Sequence, residues 1–204
     1  GPVAEYLGIN LGDRLAHLVS MSSLEHGLSR RRDLLPPGHP RHRDRYVCGD
    51  LNSTLVKTAL GRTILVQFSL ALSRPYSRIN LIAGTMGTFC DYPPRLHLDG
   101  QADGWIADLQ PYHERHGHPL WKQVGERAKA AGGHGGMDYL MNWRLIQCLR
   151  EGLPLDLTVY DAAAWSCLVP LSVESVARGS APVAVPDFTR GAWRGQKPGL
   201  LAAL

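Results

Sequence analysis

The sequence predicts an α+β fold: an open, mainly antiparallel β-sheet packed with helices. Two observations point that way. Strand-like segments dominate the first half of the chain and helix-period segments the second, an order typical of α+β rather than alternating α/β proteins. No strand, Gly-x-Gly-x-x-Gly turn and helix occur in succession; Gly84-Thr85-Met86-Gly87 is the nearest approach, and it lacks the third glycine. A Rossmann unit is therefore not expected within these residues.

The elements follow in order. Pro2 can open a short helix over 2–9, because its missing N–H costs nothing in a first turn. Leu15, His17, Val19 and Met21 alternate with Leu18 and Ser20 as a strand does. Ser53–Leu60 and Arg62–Leu72 are rich in Thr, Val and Ile and flank Gly61, which predicts a hairpin. Arg78–Ala83 and Thr85–Cys90 form a second pair about Gly84, and Arg95–Leu98 adds a short strand. Pro119–Ala131 places Leu120, Val124 and Ala128 on one helical stripe. Asp138–Leu149 reads as a helix with a broad apolar face comprising Leu140, Met141, Trp143, Leu145, Ile146 and Leu149. A last helix spans Asp161–Ala177, with Asp161 as its N-cap. The expectation is one domain over 1–204, with a basic, mobile loop insertion at about 24–45 and an irregular tail at about 180–204 lying along the surface.

Composition narrows the class. Of 204 residues 44% are hydrophobic and 20% charged, an ordinary globular balance that argues against disorder. No apolar run reaches the roughly 18 residues that a membrane helix needs. The four cysteines, at 48, 90, 148 and 167, form no Cys-x-x-Cys pair and read as thiols rather than a disulfide framework. The formal net charge is +4, and the whole excess comes from six arginines between Arg30 and Arg45 set against Asp33 and Asp44. A nucleic-acid partner is not expected on that basis; a solvated loop or a polyanion-binding module are the readings the patch leaves open.

Two constellations could carry chemistry. In Gly132-Gly133-His134-Gly135-Gly136-Met137-Asp138 four glycines surround one histidine, so backbone can approach a ligand closely and the ring is left unshielded. The loop feeds a helix N-terminus, and histidine can act there as acid, base or hydrogen-bond donor; a plain helix connection in which His134 caps Asp138 is the alternative. In Arg74-Pro75-Tyr76-Ser77-Arg78, Tyr76 offers a flat face and a hydroxyl to a sugar or base, or covers the rim of the core. His113-x-x-His116-x-His118 lies in a loop-like context without a completing ligand pattern, so no metal is expected. No Gly-x-Ser-x-Gly elbow, His-Glu-x-x-His or Walker loop is present.

Several segments in register resemble glycoside hydrolase family 109: Gly1–Asn10 (GPVAEYLGIN), Gly49-Asp50-Leu51-Asn52, Gly61-Arg62-Thr63-Ile64, Arg74–Asn80 (RPYSRIN), the Gly132–Asp138 loop, Tyr160-Asp161-Ala162-Ala163 and Pro186–Gly191 (PDFTRG). The resemblance spans nearly the whole chain apart from the basic loop. It implies a Gfo/Idh/MocA oxidoreductase architecture, of which this sequence looks like the C-terminal substrate domain without the Rossmann half. It also implies an NAD-dependent α-N-acetylgalactosaminidase. Hydride would leave sugar C3 for NAD, the C2 proton would pass to a tyrosine or histidine base, and the glycosidic oxygen would leave by elimination. Addition of water and return of the hydride give net retention. That route needs no carboxylate pair of the kind ordinary glycosidases use. On this resemblance Tyr76 contacts the sugar, His134 is the catalytic candidate, Asp138 a substrate-binding candidate, and Asn10 a cofactor-binding candidate. NAD is expected in a full-length parent, not on this chain alone. A sugar or cyclitol dehydrogenase of the same superfamily and a fragment without activity are the alternatives. An α-linked N-acetylgalactosamine glycoside is the expected partner, an exposed sheet face offers a surface for self-association, and both exported and cytoplasmic bacterial locations stay open.

Overall fold

The computed structural model describes residues 1–69, 71–101 and 103–196. They fall into two compact units, one comprising Gly1–Ser73 and residues 155–196, the other Arg74–Pro154. Where the sequence suggests one continuous domain, the structure thus groups residues around two cores, and Pro75 and Pro154 stand beside the two crossing points.

In the first unit, helix α1 (Pro2–Tyr6) precedes strand β1 (Leu15–Ser22). Strands β2 (Asn52–Thr58) and β3 (Thr63–Phe68) form the expected hairpin about Gly61, whose φ of 90° is one that glycine adopts without cost. The sheet order is β3-β2-β1-β7, antiparallel at every pairing. Its fourth strand, β7 (Val183–Ala184), lies in the segment expected to be an irregular surface tail. That tail also buries Trp193, whose carbonyl accepts from the Gly12 N–H, so residues 183–193 are partly a core element; Lys197–Leu204 lie outside the described residues.

Alternation along β2 turns Thr54, Val56 and Thr58 inward and Leu55 and Lys57 outward. In β1, Leu18 and Ser20 face the core, and Leu15 joins them although it is an odd number of residues away. A β-bulge is the cause: Leu15 pairs with Thr58 while His17 already pairs with Lys57, so one surplus residue reverses the phase. Ala4, Ile9, Leu15, Leu18, Val56, Val183 and Val185 form the core, covered by Trp165, Leu168 and Leu171. The opposite face exposes Met21, Leu55 and Leu65.

The single helix expected over Asp161–Ala177 is two, α6 (Val159–Ser166) and α7 (Leu168–Ala177). Pro170 explains the break, since it has no N–H to return to Ser166 and its ring crowds that carbonyl. Asp161 is not the N-cap. Thr158 is, and Asp161 at the third helical position completes a capping box: its Oδ2 accepts from the Thr158 N–H at 2.8 Å and from the Thr158 hydroxyl at 2.7 Å. The loop expected to be mobile at 24–45 contains helix α2 (Gly27–Asp33) and a 3-10 turn, Pro40–Arg43.

The second unit holds a three-stranded antiparallel sheet, β4 (Leu81–Ala83), β5 (Gly87–Cys90) and β6 (Arg95–Leu98), in that order. Helices α3 (Gln110–His116), α4 (Pro119–Ala131) and α5 (Met137–Glu151) follow. His113 and His116 therefore sit on a helix rather than in the loop expected, and His118 caps α4, its Nδ1 accepting from the Leu120 N–H. Leu120, Val124 and Ala128 of α4 pack on Leu140. The broad apolar face of α5 is buried only along Leu140, Arg144 and Cys148; Met141, Leu145, Ile146 and Leu149 are exposed, because α4 supplies one stripe of contacts and no more.

Candidate functional site

Tyr76 lies on irregular chain just before β4 and is 73% exposed. Two residues on, Arg78 Nε donates to Tyr76 Oη at 2.8 Å. The Tyr92 ring meets Tyr76 edge-on, with centroids 5.9 Å apart and planes at 82°. The hydrogen bond from Arg78 holds the Tyr76 phenol below the ordinary tyrosine range, with the guanidinium charge adding to it. Tyr92 moves the other way, pushed up by desolvation and by the proximity of Tyr76. Of the two phenols, Tyr76 ionises first.

His134 occupies the turn between α4 and α5. Its Nδ1 lies 2.9 Å from Asp138 Oδ2 and 3.1 Å from Oδ1, and its side chain is 74% exposed. With Nδ1–H donated to the carboxylate, Nε2 carries the lone pair of the neutral ring and is the atom left for proton exchange. The glycines have specific reasons. A Cβ on Gly133 would stand 2.8 Å from Asp138 Oδ2, inside the contact that holds His134, and Gly133 has φ 70°. A Cβ on Gly136 would meet the Ala128 carbonyl carbon at 2.7 Å. The loop thus needs bare backbone both to seat Asp138 beside the imidazole and to lie against α4.

Tyr76 and His134 belong to the same unit, and among the described residues no hydrogen bond, ion pair or ring contact joins them. They form two exposed centres: phenol with arginine, and imidazole with carboxylate. Asn10 lies in the other unit, where its Nδ2 donates to the buried Asp161 Oδ1 at 2.9 Å. With φ 66° it makes a left-handed corner before β1, a conformation asparagine tolerates better than most residues. Sequence reasoning passed over Arg78 and Tyr92. The spacing of Tyr76 and Arg78 could have revealed the first; nothing local announces Tyr92, which arrives through the fold.

A strand–turn–helix cradle for a dinucleotide is not found among the described residues. Both sheets are antiparallel, and the glycine loop at 132–136 enters α5 from a helix, not from a strand, so no strand–turn–helix cradle for a pyrophosphate is formed.

Comparison with known proteins defines the class first: residues 1–195 match the family described as "Glycosyl hydrolase 109, C-terminal domain". The chain belongs to glycosyl hydrolase family 109. It is 53% identical over 199 residues to a glycosyl hydrolase family 109 protein of Solibacter usitatus (strain Ellin6076), covering 97% of this chain and 45% of that protein. It is 48% identical over 204 residues to one from Shewanella amazonensis (strain ATCC BAA-1098 / SB2B), again with 97% and 45% coverage. The chain therefore spans about half the length of the curated relatives it matches, 45% in both cases. A solved structure, an oxidoreductase domain protein from Kribbella flavida, aligns with TM-score 0.49 at 16% identity over 85% of this chain and 46% of its own.

Proposed function

We propose that the chain is the sugar-facing domain of a retaining glycosidase acting on α-linked N-acetylgalactosamine, with Tyr76 as its principal saccharide contact. Membership of family 109 supports the glycosidase part. The observation that carries the residue assignment is the Arg78–Tyr76 hydrogen bond on an exposed ring. Because Oη accepts from Arg78, its own O–H is directed away from the guanidinium, where it can donate to a sugar oxygen. The ring face supplies the apolar platform that a pyranose packs against. His134, with Nδ1–H on Asp138, presents Nε2 as a proton acceptor; Asp138 fixes the tautomer and the ring's orientation. NAD, held by the other half of a protein of the relatives' length, would supply the hydride chemistry, and none of the steps assigned here passes through it.

The test uses full-length protein with an aryl α-N-acetylgalactosaminide. Tyr76→Phe should lower kcat/KM by about 10- to 100-fold, the loss of one transition-state hydrogen bond, while NAD affinity stays unchanged. Equal loss of both would make Tyr76 a structural residue and remove the assignment.

A further inference from the structure

The segment expected to be a mobile basic loop is folded, and its arginines are left over. Asp50 caps α2 from the start of the hairpin, accepting from the Gly27 N–H at 2.9 Å and the His26 N–H at 3.1 Å. Arg32 Nη1 donates to the Asp44 carbonyl at 2.7 Å, and His42 Nε2 to the Pro36 carbonyl at 3.1 Å, so the helix and the 3-10 turn are tied to one another. Of the six arginines only Arg32 has a carboxylate partner among the described residues, Asp33 at 2.9 Å. Arg30, Arg31, Arg41, Arg43 and Arg45 are exposed and form no ion pair there. Beside them Gly38, His39, Pro40, His42 and Arg43 line a hollow of about 450 Å³. The Arg41 N–H donates to His39 Nδ1, which places the ring proton of a neutral His39 on Nε2 as a donor.

We propose that this surface binds an anionic polysaccharide, with Arg30, Arg31, Arg41, Arg43 and Arg45 pairing its sulfate or carboxylate groups and one such group seated in the hollow beside His39 and Arg43. Guanidinium is the cation best suited to this, since its fork matches planar or tetrahedral oxyanions and it gives up hydration easily. Exposure is no obstacle, because binding of a polyion is driven by counterion release rather than by burial of single pairs. A saccharide is favoured over nucleic acid on two grounds. The one Phe, Trp or Tyr ring at the patch, Tyr46 beside Arg45, is partly buried with its hydroxyl on Asp44, so no row of rings is offered on which successive bases could stack. The chain is also part of a glycosidase, for which a second hold on a charged glycan keeps the enzyme on its substrate by raising local concentration. This inference is independent of Tyr76 and of the reaction assigned above.

Full-length protein is applied to immobilised heparin, with immobilised duplex DNA and neutral dextran as comparisons. Retention on heparin that weakens with salt is expected, with the log–log salt slope falling by roughly one for each arginine replaced in Arg41→Gln/Arg43→Gln/Arg45→Gln and in Arg30→Gln/Arg31→Gln. Turnover of a small neutral aryl glycoside should be unchanged in both variants, which also shows that they fold. Failure to bind heparin at low salt, binding to DNA or dextran as tight as to heparin, an unaltered salt slope in the variants, or loss of turnover would each overturn the proposal.

Discussion

Arg78 donates through Nε to Tyr76 Oη at 2.8 Å, two residues along the chain and exposed to solvent. The bond favours the phenolate, so the folded-state value of Tyr76 lies below that of the unfolded chain. A depressed acid contributes stability only above its unfolded value, near ~10 for tyrosine, and that contribution disappears as pH falls through the folded value. At neutral pH the pair therefore acts on reactivity rather than on stability. Ultraviolet titration should show one phenol ionising early, absent in Tyr76→Phe and returned toward the ordinary range in Arg78→Gln. An unchanged titration curve in Arg78→Gln would mean that the contact does not persist in solution.

Gly136 and Gly132 separate two costs. Both have positive φ, 98° and 77°, but a Cβ at 136 collides with Ala128 backbone while one at 132 meets nothing within 4 Å. Gly132→Ala should cost about 1 kcal/mol from backbone strain alone, and Gly136→Ala at least about 2 kcal/mol, since α4 must also yield. Denaturant unfolding of the two variants measures the difference.

Asp13 is nearly inaccessible, at 1%, and joins three segments: its Oδ1 accepts from the Arg14 and Leu60 N–H groups, and its Oδ2 pairs with Arg62 at 2.9 Å. Asp13→Ala leaves two backbone donors and a half-exposed guanidinium without their acceptor. A loss of about 3 kcal/mol is expected, seen as a lower Tm.

Glu5 titrates high, first because burial disfavours its charge and then because Asp161 repels it. A carboxyl raised in the folded state contributes stability that is complete below its unfolded value and lost as pH rises through the folded one. Glu5→Gln should thus raise Tm at neutral pH, with the gain shrinking on acidification toward pH ~4. A gain that does not depend on pH would place the effect in packing instead.

Strands β1 to β3 and the helix α4 were legible because alternation and the 3.6-residue period are local properties. The two-helix ending was missed because the run from Asp161 to Ala177 keeps its apolar character through Pro170, and only the backbone shows the interruption. Order in 24–45 was hidden for another reason: the groups that fold it, Asp50 and the Asp44 carbonyl, act across gaps that no periodicity records. At the site, the motifs led to Tyr76, and the His134–Asp138 spacing to a pair that the structure makes a direct contact. Asn10 was read through resemblance alone, whereas the structure binds its amide to Asp161.

The surplus residue in β1 makes that strand tolerant of shortening at one place only. Excising Ala16 would bring Leu15 into ordinary alternation with Leu18, still facing inward, with the acceptor for the Val185 N–H as the chief loss. Excising any residue from Leu18 to Met21 would exchange the wet and dry sides of the neighbouring positions. Single-residue deletions along β1 should therefore give folded protein at Ala16 and at His17 and failures from Leu18 to Met21, and that boundary would mark where the strand changes frame.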